Sequence, residues 1–403
     1  MAIEVRPCEP GELAEGLTPI FHYFGQTPKE DGLTMLTAVL APERLHAAFE
    51  DGRAVGGAGA FTFTLTVPGG RVPAAGVTTV GVLPTHRRRG ILRSLMRAQI
   101  DDVRAREEPV AYLWASEATI YGRFGYGVSS LTADMEIARD RASFVDGIET
   151  AGTVRLVSNE EALERFPPIY ERVAVETPGL FARTPEWWET RSLADPEWRR
   201  GGGGEMARAV LDVDGRGEGY VLYRLIPSWE HSSSTGVLKV IEAIGATADA
   251  TASIWRFLFD LDWMASIRAG WLPIDHPLLL LLAEPRRARF TLADGLWVRL
   301  VDVGPALSAR SYAADGTAVL EVEDAFCPWN AGHWRVADGA AEKTSDAADV
   351  ALDVSALASV YLGGFTFREL TRAGRVRELA KGGLERADRL FYTDRAPWCP
   401  EIF

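Results

Sequence analysis

The stretch from Thr78 to Gly127 constrains the fold of this chain more than any other. It reads TTVGVLPTHRRRGILRSLMRAQIDDVRAREEPVAYLWASEATIYGRFGYG. An apolar strand over Val80–Leu83 leads into the basic turn His86–Gly90, and apolar residues then recur at helical spacing. A second apolar strand over Val110–Ala115 follows the helix. This order predicts two neighbouring strands of one sheet that are connected by a helix.

The basic turn between strand and helix is suited to holding a phosphate group. Gly90 lets the backbone approach a ligand closely, and the helix start offers N–H groups that have no partner within the helix. Arg87, Arg88 and Arg89 can add charge-assisted hydrogen bonds. Most runs of basic residues are only solvated surface. The position of this one, directly after an apolar strand and before an amphipathic helix, favours an anion site.

Tyr121 follows the second strand on a short predicted helix. Ser116 or Thr119 can cap the start of that helix, and Gly125 can end it. A tyrosine at this place can face the cleft where two neighbouring strands separate. A tyrosine packed in the core is the more common alternative.

Composition narrows the class of protein. A chain of 403 residues is expected to form two or three domains. The formal net charge of −13 argues against a general nucleic-acid binder and suits a cationic substrate. The three cysteines, Cys8, Cys327 and Cys399, show neither metal-ligand nor disulfide spacing, so no metal is expected and a reducing cytoplasm fits best. The N-terminus MAIEVRPCEP lacks a basic-then-apolar signal, so no leader peptide is expected, and the longest apolar run, Pro277–Ala283, is too short to span a membrane.

These motifs resemble a known family. The pattern Arg87-x-x-Gly90 after a Val-x-Val strand, followed by Tyr121-x-x-x-Gly125-Tyr126, resembles the GCN5-related N-acetyltransferase (GNAT) superfamily. The stricter string THRRRG…ASE…IYGRFGYG is similar to one branch, the Eis (enhanced intracellular survival) acetyltransferases. Leu92, two residues after the loop glycine, suits that branch better than the superfamily at large.

A second unit repeats the order of strands and helices. Strands are predicted over Gly219–Leu225, Gly236–Ile244 and Trp263–Arg268, with a helix over Ala250–Leu261. The loop that follows the second of these strands reads GATADATASIW and has no arginine cluster and no Arg-x-x-Gly pattern. The sequence therefore predicts a second copy of the fold that lacks the phosphate-binding loop.

The resemblance implies a fold of mixed α/β (α+β) class with three domains. Residues 1–150 form a GNAT domain that binds acetyl-CoA, and residues 151–285 form a degenerate GNAT-like domain. Residues 286–403 form a sterol-carrier-protein-like domain whose C-terminal tail reaches the active site. A lid or interface role for this last domain is the simpler alternative to lipid binding.

The resemblance also implies roles for individual residues. Tyr121 is the acid that protonates the departing thiolate, and the terminal carboxylate of Phe403 is the base. The backbone N–H groups of Val80, Gly81 and Val82 polarise the thioester carbonyl. The pyrophosphate is held by Arg87, Arg88, Arg89 and Gly90 and by the N–H groups of Ile91, Leu92 and Arg93. Ser116 and Glu117 contact the cofactor.

The implied reaction is direct acetyl transfer from acetyl-CoA to primary amines in a ternary complex. The acceptor is an aminoglycoside or another polyamine, acetylated at several positions, with antibiotic resistance as the implied consequence. A protein lysine or a small polyamine is an alternative acceptor. A lipid- or metabolite-binding protein that uses the sterol-carrier-like domain is an alternative of another class. The resemblance further implies a cytoplasmic homo-hexamer without nucleic-acid or membrane partners. Phe24, Asp31, Trp398 and Glu401 are candidates for lining the acceptor pocket, with structural roles equally open.

Overall fold

The computed structural model describes residues 3–27 and 29–403, and the chain divides into two compact units. The first unit comprises the chain up to Ser130, with Gly295–Pro397 and Ile402–Phe403. The second unit comprises Leu131–Asp294 with Trp398–Glu401. The three-domain boundaries at residues 150 and 285 remain a prediction.

The described residues up to Ser130 form six strands and four α-helices. The strands are β1 (Glu4–Pro7), β2 (Leu45–Glu50), β3 (Arg53–Val67), β4 (Gly70–Val82), β5 (Val110–Trp114) and β6 (Gly127–Val128). The helices are α1 (Leu13–Tyr23), α2 (Glu30–Thr37), α3 (Ile91–Ala105) and α4 (Ala118–Tyr121).

The segment from Leu131 to Asp294 forms nine strands and four α-helices, with a π-helical turn over Trp188–Ser192. Its strands are β7 (Leu131–Ala138), β8 (Thr153–Leu156), β9 (Ala207–Val213), β10 (Arg216–Ile226), β11 (Trp229–Glu230), β12 (Ser233–Ser234), β13 (Val237–Gly245), β14 (Ser266–Pro273) and β15 (Thr291–Asp294). Its helices are α5 (Asn159–Ala174), α6 (Pro185–Trp187), α7 (Ala248–Asp260) and α8 (Leu278–Leu281).

The remaining segment forms six strands and four helices. The strands are β16 (Leu296–Leu300), β17 (Thr317–Glu323), β18 (Gly332–Ala337), β19 (Ala340–Lys343), β20 (Val350–Asp353) and β21 (Val376–Glu378). The helices are α9 (Val303–Ser308), α10 (Val354–Tyr361), α11 (Phe367–Arg372) and α12 (Gly383–Phe391). Strands β17 to β21 form a five-stranded sheet in the order β19-β18-β17-β20-β21.

The sheet of the first unit has the strand order β1-β2-β3-β4-β5-β16-β6. Helix α3 connects the parallel neighbours β4 and β5, as predicted, and buries Met96, Ile100 and Val103 against Val77 and Ala111 of those strands. The apolar face of this helix therefore fixes the strand–loop–helix unit in the core, and its basic start is left at the surface.

The sheet of the second unit has the matching order β8-β9-β10-β13-β14-β7-β15. The parallel pair is again formed by two strands joined by a helix, here β13, α7 and β14. The predicted repeat of strands and helix is therefore present. The strand predicted over Trp263–Arg268 was placed too early, because β14 spans Ser266–Pro273 and Trp263 has a positive φ of 70°.

The sixth strand of each sheet comes from a part of the chain that the sequence analysis grouped elsewhere. Leu131–Ala138, grouped with the first domain, pairs with β14 and β15 in the second sheet. Leu296–Leu300, grouped with the third domain, pairs with β5 and β6 in the first sheet. Strand partners are set by long-range contacts, which is why local patterns did not reveal this arrangement.

No helix within residues 3–27 and 29–403 is both long and apolar enough to cross a membrane. In the same residues, no group of three or more His, Cys, Asp or Glu side chains is placed to hold a metal ion.

Candidate active site

The strands β4 and β5 separate near the middle of the first sheet. They pair in parallel only between Ala74–Gly76 and Val110–Tyr112, although β4 continues as far as Val82. Strand β5 pairs with β16 on its other side over Val110–Trp114. The part of β4 beyond Gly76 therefore borders a fork between the two strands, where an extended ligand can take the place of strand partners.

A β-bulge lies within the forked part of β4. Thr79 and Val80 stand opposite the single residue Ala58 of β3, and Thr79 has a positive φ of 49°. A bulge leaves its extra residue outside the ladder and bends the strand. The predicted N–H donors Val80–Val82 are therefore located at the fork, at and just after the irregular point of the strand.

The basic turn leads from β4 directly to the start of α3. A 3₁₀ turn over Pro84–His86 is followed by Arg88 and Gly90, whose φ values are +62° and +84°. No side chain caps the start of α3, so the first N–H groups of the helix, at Ile91–Arg93, have no side-chain cap as a partner. This uncapped, positively polarised start of a 15-residue helix is a suitable place for a phosphate.

The three arginines of the turn differ in their surroundings. Arg89 forms an ion pair through two hydrogen bonds with Glu50, at the end of β2. His86 Nε2 lies 2.8 Å from the same carboxylate. Arg89 and His86 together lower the pKa of Glu50 to about 2, so this carboxylate is ionised at neutral pH. Arg87 lies over the ring of Tyr23, with its guanidinium carbon 5.0 Å from the ring centre.

Tyr121 is buried at the end of α4, with 5% of its surface exposed. Burial raises the pKa of its phenol to about 12, although an interaction with the Ser116 hydroxyl opposes this shift. Its ring meets the edge of Tyr126 at 5.8 Å between centres. The phenol is therefore protonated at neutral pH, as a proton donor must be.

The predicted helix caps at Ser116 and Thr119 are wrong. Helix α4 begins at Ala118 with Glu117 in the N-cap position, and no side chain caps it. The prediction that Gly125 ends this region is confirmed, because Gly125 has a φ of +84° and closes a 3₁₀ turn.

A second tyrosine, Tyr23, marks the exposed side of this region. Its hydroxyl donates a hydrogen bond to Glu117 Oε1, and this bond raises the pKa of Tyr23. Because Ser116 and Glu117 are both exposed after β5, they are accessible to a ligand that lies on the turn. The sequence analysis did not single out Tyr23. The only feature of the sequence that could have indicated Tyr23 is its aromatic side chain at the end of α1.

The C-terminal residue Phe403 lies at the closed end of the fork. Its ring is buried, with 7% of the residue exposed, and meets the rings of Tyr112 and Phe63 edge-on at 4.9 and 5.3 Å between centres. A Cβ atom added to Gly76 would lie 3.3 Å from the Phe403 ring. Gly76 and Tyr112 are the last paired residues of β4 and β5. The chain terminus therefore meets the two strands at the point where they separate.

The four candidates for the acceptor pocket have different environments. Phe24 is 46% exposed and packs edge-on against Tyr23, and Asp31 lies in the first turn of α2. Trp398 and Glu401 belong to the second unit, where Trp398 donates a hydrogen bond to the carbonyl of Trp271. Glu401 forms an ion pair with Arg183 at 3.0 Å. These contacts give Trp398 and Glu401 structural roles.

Arg299 is a buried residue of this region that the sequence analysis missed. It lies on β16 with no exposed surface and forms an ion pair with Asp324 at 2.5 Å. A methyl group added to Gly125 would overlap its guanidinium. Glycine is therefore required at position 125 for two reasons, its positive φ and the close approach of the Arg299 guanidinium.

In the second unit, the equivalent helix start differs from that of α3 in its capping. Strands β13 and β14 also pair only briefly, over Val237–Val240 and Ser266–Ala269. The start of α7, however, is capped by Thr247, whose hydroxyl accepts a hydrogen bond from the N–H of Ala250 at 3.1 Å. A helix start that is already capped and has no basic loop offers less to a phosphate, which supports the prediction of a degenerate second copy.

Known domain families match three successive segments of the chain. Residues 4–129 and residues 179–300 each match a family described as an acetyltransferase (GNAT) domain. Residues 303–400 match a sterol carrier protein domain. Two GNAT domains followed by a sterol-carrier-like domain are the predicted architecture.

Similar proteins cover most of the chain. An uncharacterized N-acetyltransferase of Streptomyces avermitilis is 46% identical over 358 residues, which is 87% of each chain. N-acetyltransferase Eis of Mycobacterium tuberculosis is 38% identical over 343 residues, 82% of this chain and 81% of its own. The crystal structure of Eis1 from Mycobacterium abscessus matches with a TM-score of 0.87 and 36% identity, covering 99% of this chain and 100% of that one.

A GNAT structure from Anabaena variabilis has a TM-score of 0.86 at 21% identity and shows the fold alone. The GNAT superfamily takes its acetyl group from acetyl-CoA, and the forked strands, the uncapped α3 and the buried Tyr121 suit such a cofactor. Together with these features, the Eis relatives show that the chain is an N-acetyltransferase that belongs to the Eis family of GNAT enzymes.

Proposed function

We propose that this N-acetyltransferase acetylates the primary amines of aminoglycosides or similar polyamines, at several positions, by direct transfer in a ternary complex. This proposal rests on the position of Phe403 at the closed end of the β4–β5 fork. A residue with a terminal carboxylate there lies close to the separated strands, which can hold a thioester. The net charge of −13 favours a polycationic acceptor.

The cofactor is held at the start of α3. The N–H groups of Ile91–Arg93 and the backbone of Gly90 bind the pyrophosphate, with Arg87 and Arg88 supplying charge. Arg89 reaches the same phosphates only by leaving Glu50, so its first role is to anchor the turn. Ser116 and Glu117 contact the cofactor from the end of β5.

The chemistry needs one base and one acid. The Phe403 carboxylate takes a proton from the ammonium group of the acceptor, directly or through water, and the free amine attacks the thioester carbonyl. The N–H groups of Val80–Val82 stabilise the negative charge that develops on the carbonyl oxygen. The C–S bond then breaks, and Tyr121 donates its proton to the departing thiolate. The nitrogen of the new amide gives up its remaining extra proton to solvent, and Tyr121 regains a proton before the next turnover.

An amine panel tests the acceptor class. Thiol release from acetyl-CoA is measured with kanamycin, tobramycin, spermidine and a lysine-containing peptide. We expect turnover with the aminoglycosides and more than one acetyl group per molecule by mass spectrometry. Turnover only with spermidine or with the peptide would replace this acceptor class by the small-polyamine or protein-lysine alternative.

The chain terminus tests the base. One glycine added after Phe403 moves the carboxylate one residue along and should reduce kcat by about 100-fold. Phe403→Leu keeps a terminal carboxylate on an apolar residue and should retain most activity. Full activity of the extended chain would exclude the terminal carboxylate as the base.

We also propose that the protein assembles as a homo-hexamer in the cytoplasm, on the strength of the family resemblance. Light scattering should give a mass six times that of the 44.1 kDa chain. A monomeric mass would contradict the hexamer without affecting the proposed chemistry.

A further inference from the structure

The second unit contains a cavity of about 880 Å³ that the proposed reaction does not use. It opens on the face of the sheet formed by β7, β14, β13 and β10. Six of its lining residues are cationic and two are acidic. The cations are Arg191, Arg199, Arg224, Lys239, Arg268 and Arg289, and the acids are Asp134 and Glu136. The volume is that of a site for a metabolite-sized molecule.

Strand pairing places three of these cations in one row. Arg224 of β10 is opposite Lys239 of β13, and Lys239 is opposite Arg268 of β14. Arg268 is in turn opposite Glu136 of β7. Directly opposite residues point to the same face of a sheet at about 5 Å between Cβ atoms, and like charges at this distance destabilise the pairing.

The charges at the two ends of the row are balanced, and the charge at its centre is not. Arg224 forms an ion pair with Asp195 at 2.6 Å, and Arg268 pairs with Glu136 at 3.0 Å. Throughout the described part of the chain, no carboxylate lies within ion-pair distance of Lys239. Lys239 is exposed to the cavity and lies between two arginines. An anion bound there would offset the repulsion among the three positive charges.

The wall beyond the row offers a flat apolar surface. Trp271 lies where β13 and β14 separate, and its backbone N–H donates to Asp134 Oδ1 at 3.1 Å. Its carbonyl accepts the hydrogen bond from Trp398. These two contacts hold the backbone of Trp271 in place, while 37% of the residue is exposed beside the basic row.

We propose that this cavity binds a small organic anion with at least two phosphate or carboxylate groups, placed over Lys239 and Arg268. The site is separate from the acetyl-CoA loop, since all its lining residues lie in the second unit. It also has the opposite charge preference from the polyamine acceptor. The central domain thus holds anions through its sheet face, although it lacks the basic loop of the first domain.

The test measures thermal stability and binding in the full-length protein with tripolyphosphate, citrate and ADP as probes. At least one probe should raise the Tm of the wild-type protein by a few degrees. Lys239→Gln should weaken binding of that probe by about tenfold or more, because a charged hydrogen-bonding partner is lost. Without ligand, the same variant should be slightly more stable than wild type, by up to about 2 °C, because the like-charge contacts are relieved.

A matched control separates this effect from general charge. Arg286→Gln removes an exposed cation outside the cavity lining and should respond to the probes as the wild type does. Acetyl transfer should be unchanged in Lys239→Gln, so failure of this site and failure of the proposed reaction are distinguishable. Binding of none of the probes, or equal binding by wild type and Lys239→Gln, would overturn the proposal.

Discussion

Tyr121 is held in its protonated form by burial. Its pKa is raised to about 12, so loss of its proton should not limit the rate at any pH below about 11. Tyr121→Phe keeps the ring and its contact with Tyr126 and removes only the hydroxyl. We expect kcat to fall by about 100-fold, as is usual for loss of a general acid, and the Kd of acetyl-CoA to change little. Steady-state thiol release and calorimetry measure the two quantities.

A matched variant controls for changes in packing. Tyr126→Phe removes a fully buried hydroxyl that has no hydrogen-bond partner among the described residues, and should leave kcat close to that of wild type. Equal rates for Tyr121→Phe and wild type would exclude Tyr121 as the acid.

Two glycines of the motif are required for different reasons, and their substitution by alanine should show it. Gly90 and Gly125 both have a φ of +84°, but no atom lies within 4 Å of a Cβ added to Gly90. Gly90→Ala should therefore cost only backbone strain, about 1 to 2 kcal/mol. Gly125→Ala adds an overlap with the buried Arg299 and should cost about 3 kcal/mol or more. Urea unfolding followed by circular dichroism compares them, and equal losses would contradict this account.

At the scale of elements, the basic turn combines a ligand-binding and an anchoring function. Arg89 is bound to Glu50, whereas Arg88 makes no ion pair with any residue that the structure describes. Arg88→Ala should therefore weaken CoA binding by about tenfold, and Arg89→Ala by less than about threefold. Arg106→Ala, at the far end of α3, is the control and should leave CoA binding unchanged. A larger loss in Arg89→Ala than in Arg88→Ala would reverse the assignment of roles.

The strand–turn–helix element was predictable because its signals are local. The apolar spacing of α3 and the turn glycine Gly90 are visible in the sequence, and both lie where predicted. The anchor of the turn was not visible, because Glu50 lies 39 residues before Arg89. The two residues meet only because β2 pairs with β3 and β3 pairs with β4. The start of β14 was misplaced because Trp263, a residue typical of strands, occupies a left-handed turn position.

At the scale of the whole molecule, the repeated order of elements predicted two similar sheets, and both are present. The origin of the sixth strand in each sheet was not predictable from local patterns. Leu296–Leu300 reads as an ordinary buried strand, and only the contact with β5 and β6 assigns it to the first sheet. The position of Phe403 likewise depends on residues far away in the sequence, because its ring packs against Phe63 and Tyr112. Its placement beside the strand fork was expected only from the family resemblance.

The charge of the whole chain gives a last prediction. At a net charge of −13, the protein attracts polycations over a distance set by the ionic strength, about 30 Å at 0.01 M salt and 8 Å at 0.15 M. With acetyl-CoA saturating, kcat/KM for tobramycin should fall by about tenfold between these conditions, because electrostatic steering is lost. A singly charged amine that is also a substrate serves as the control and should lose much less. Equal salt dependence for both amines would show that the acceptor is recognised by local contacts alone.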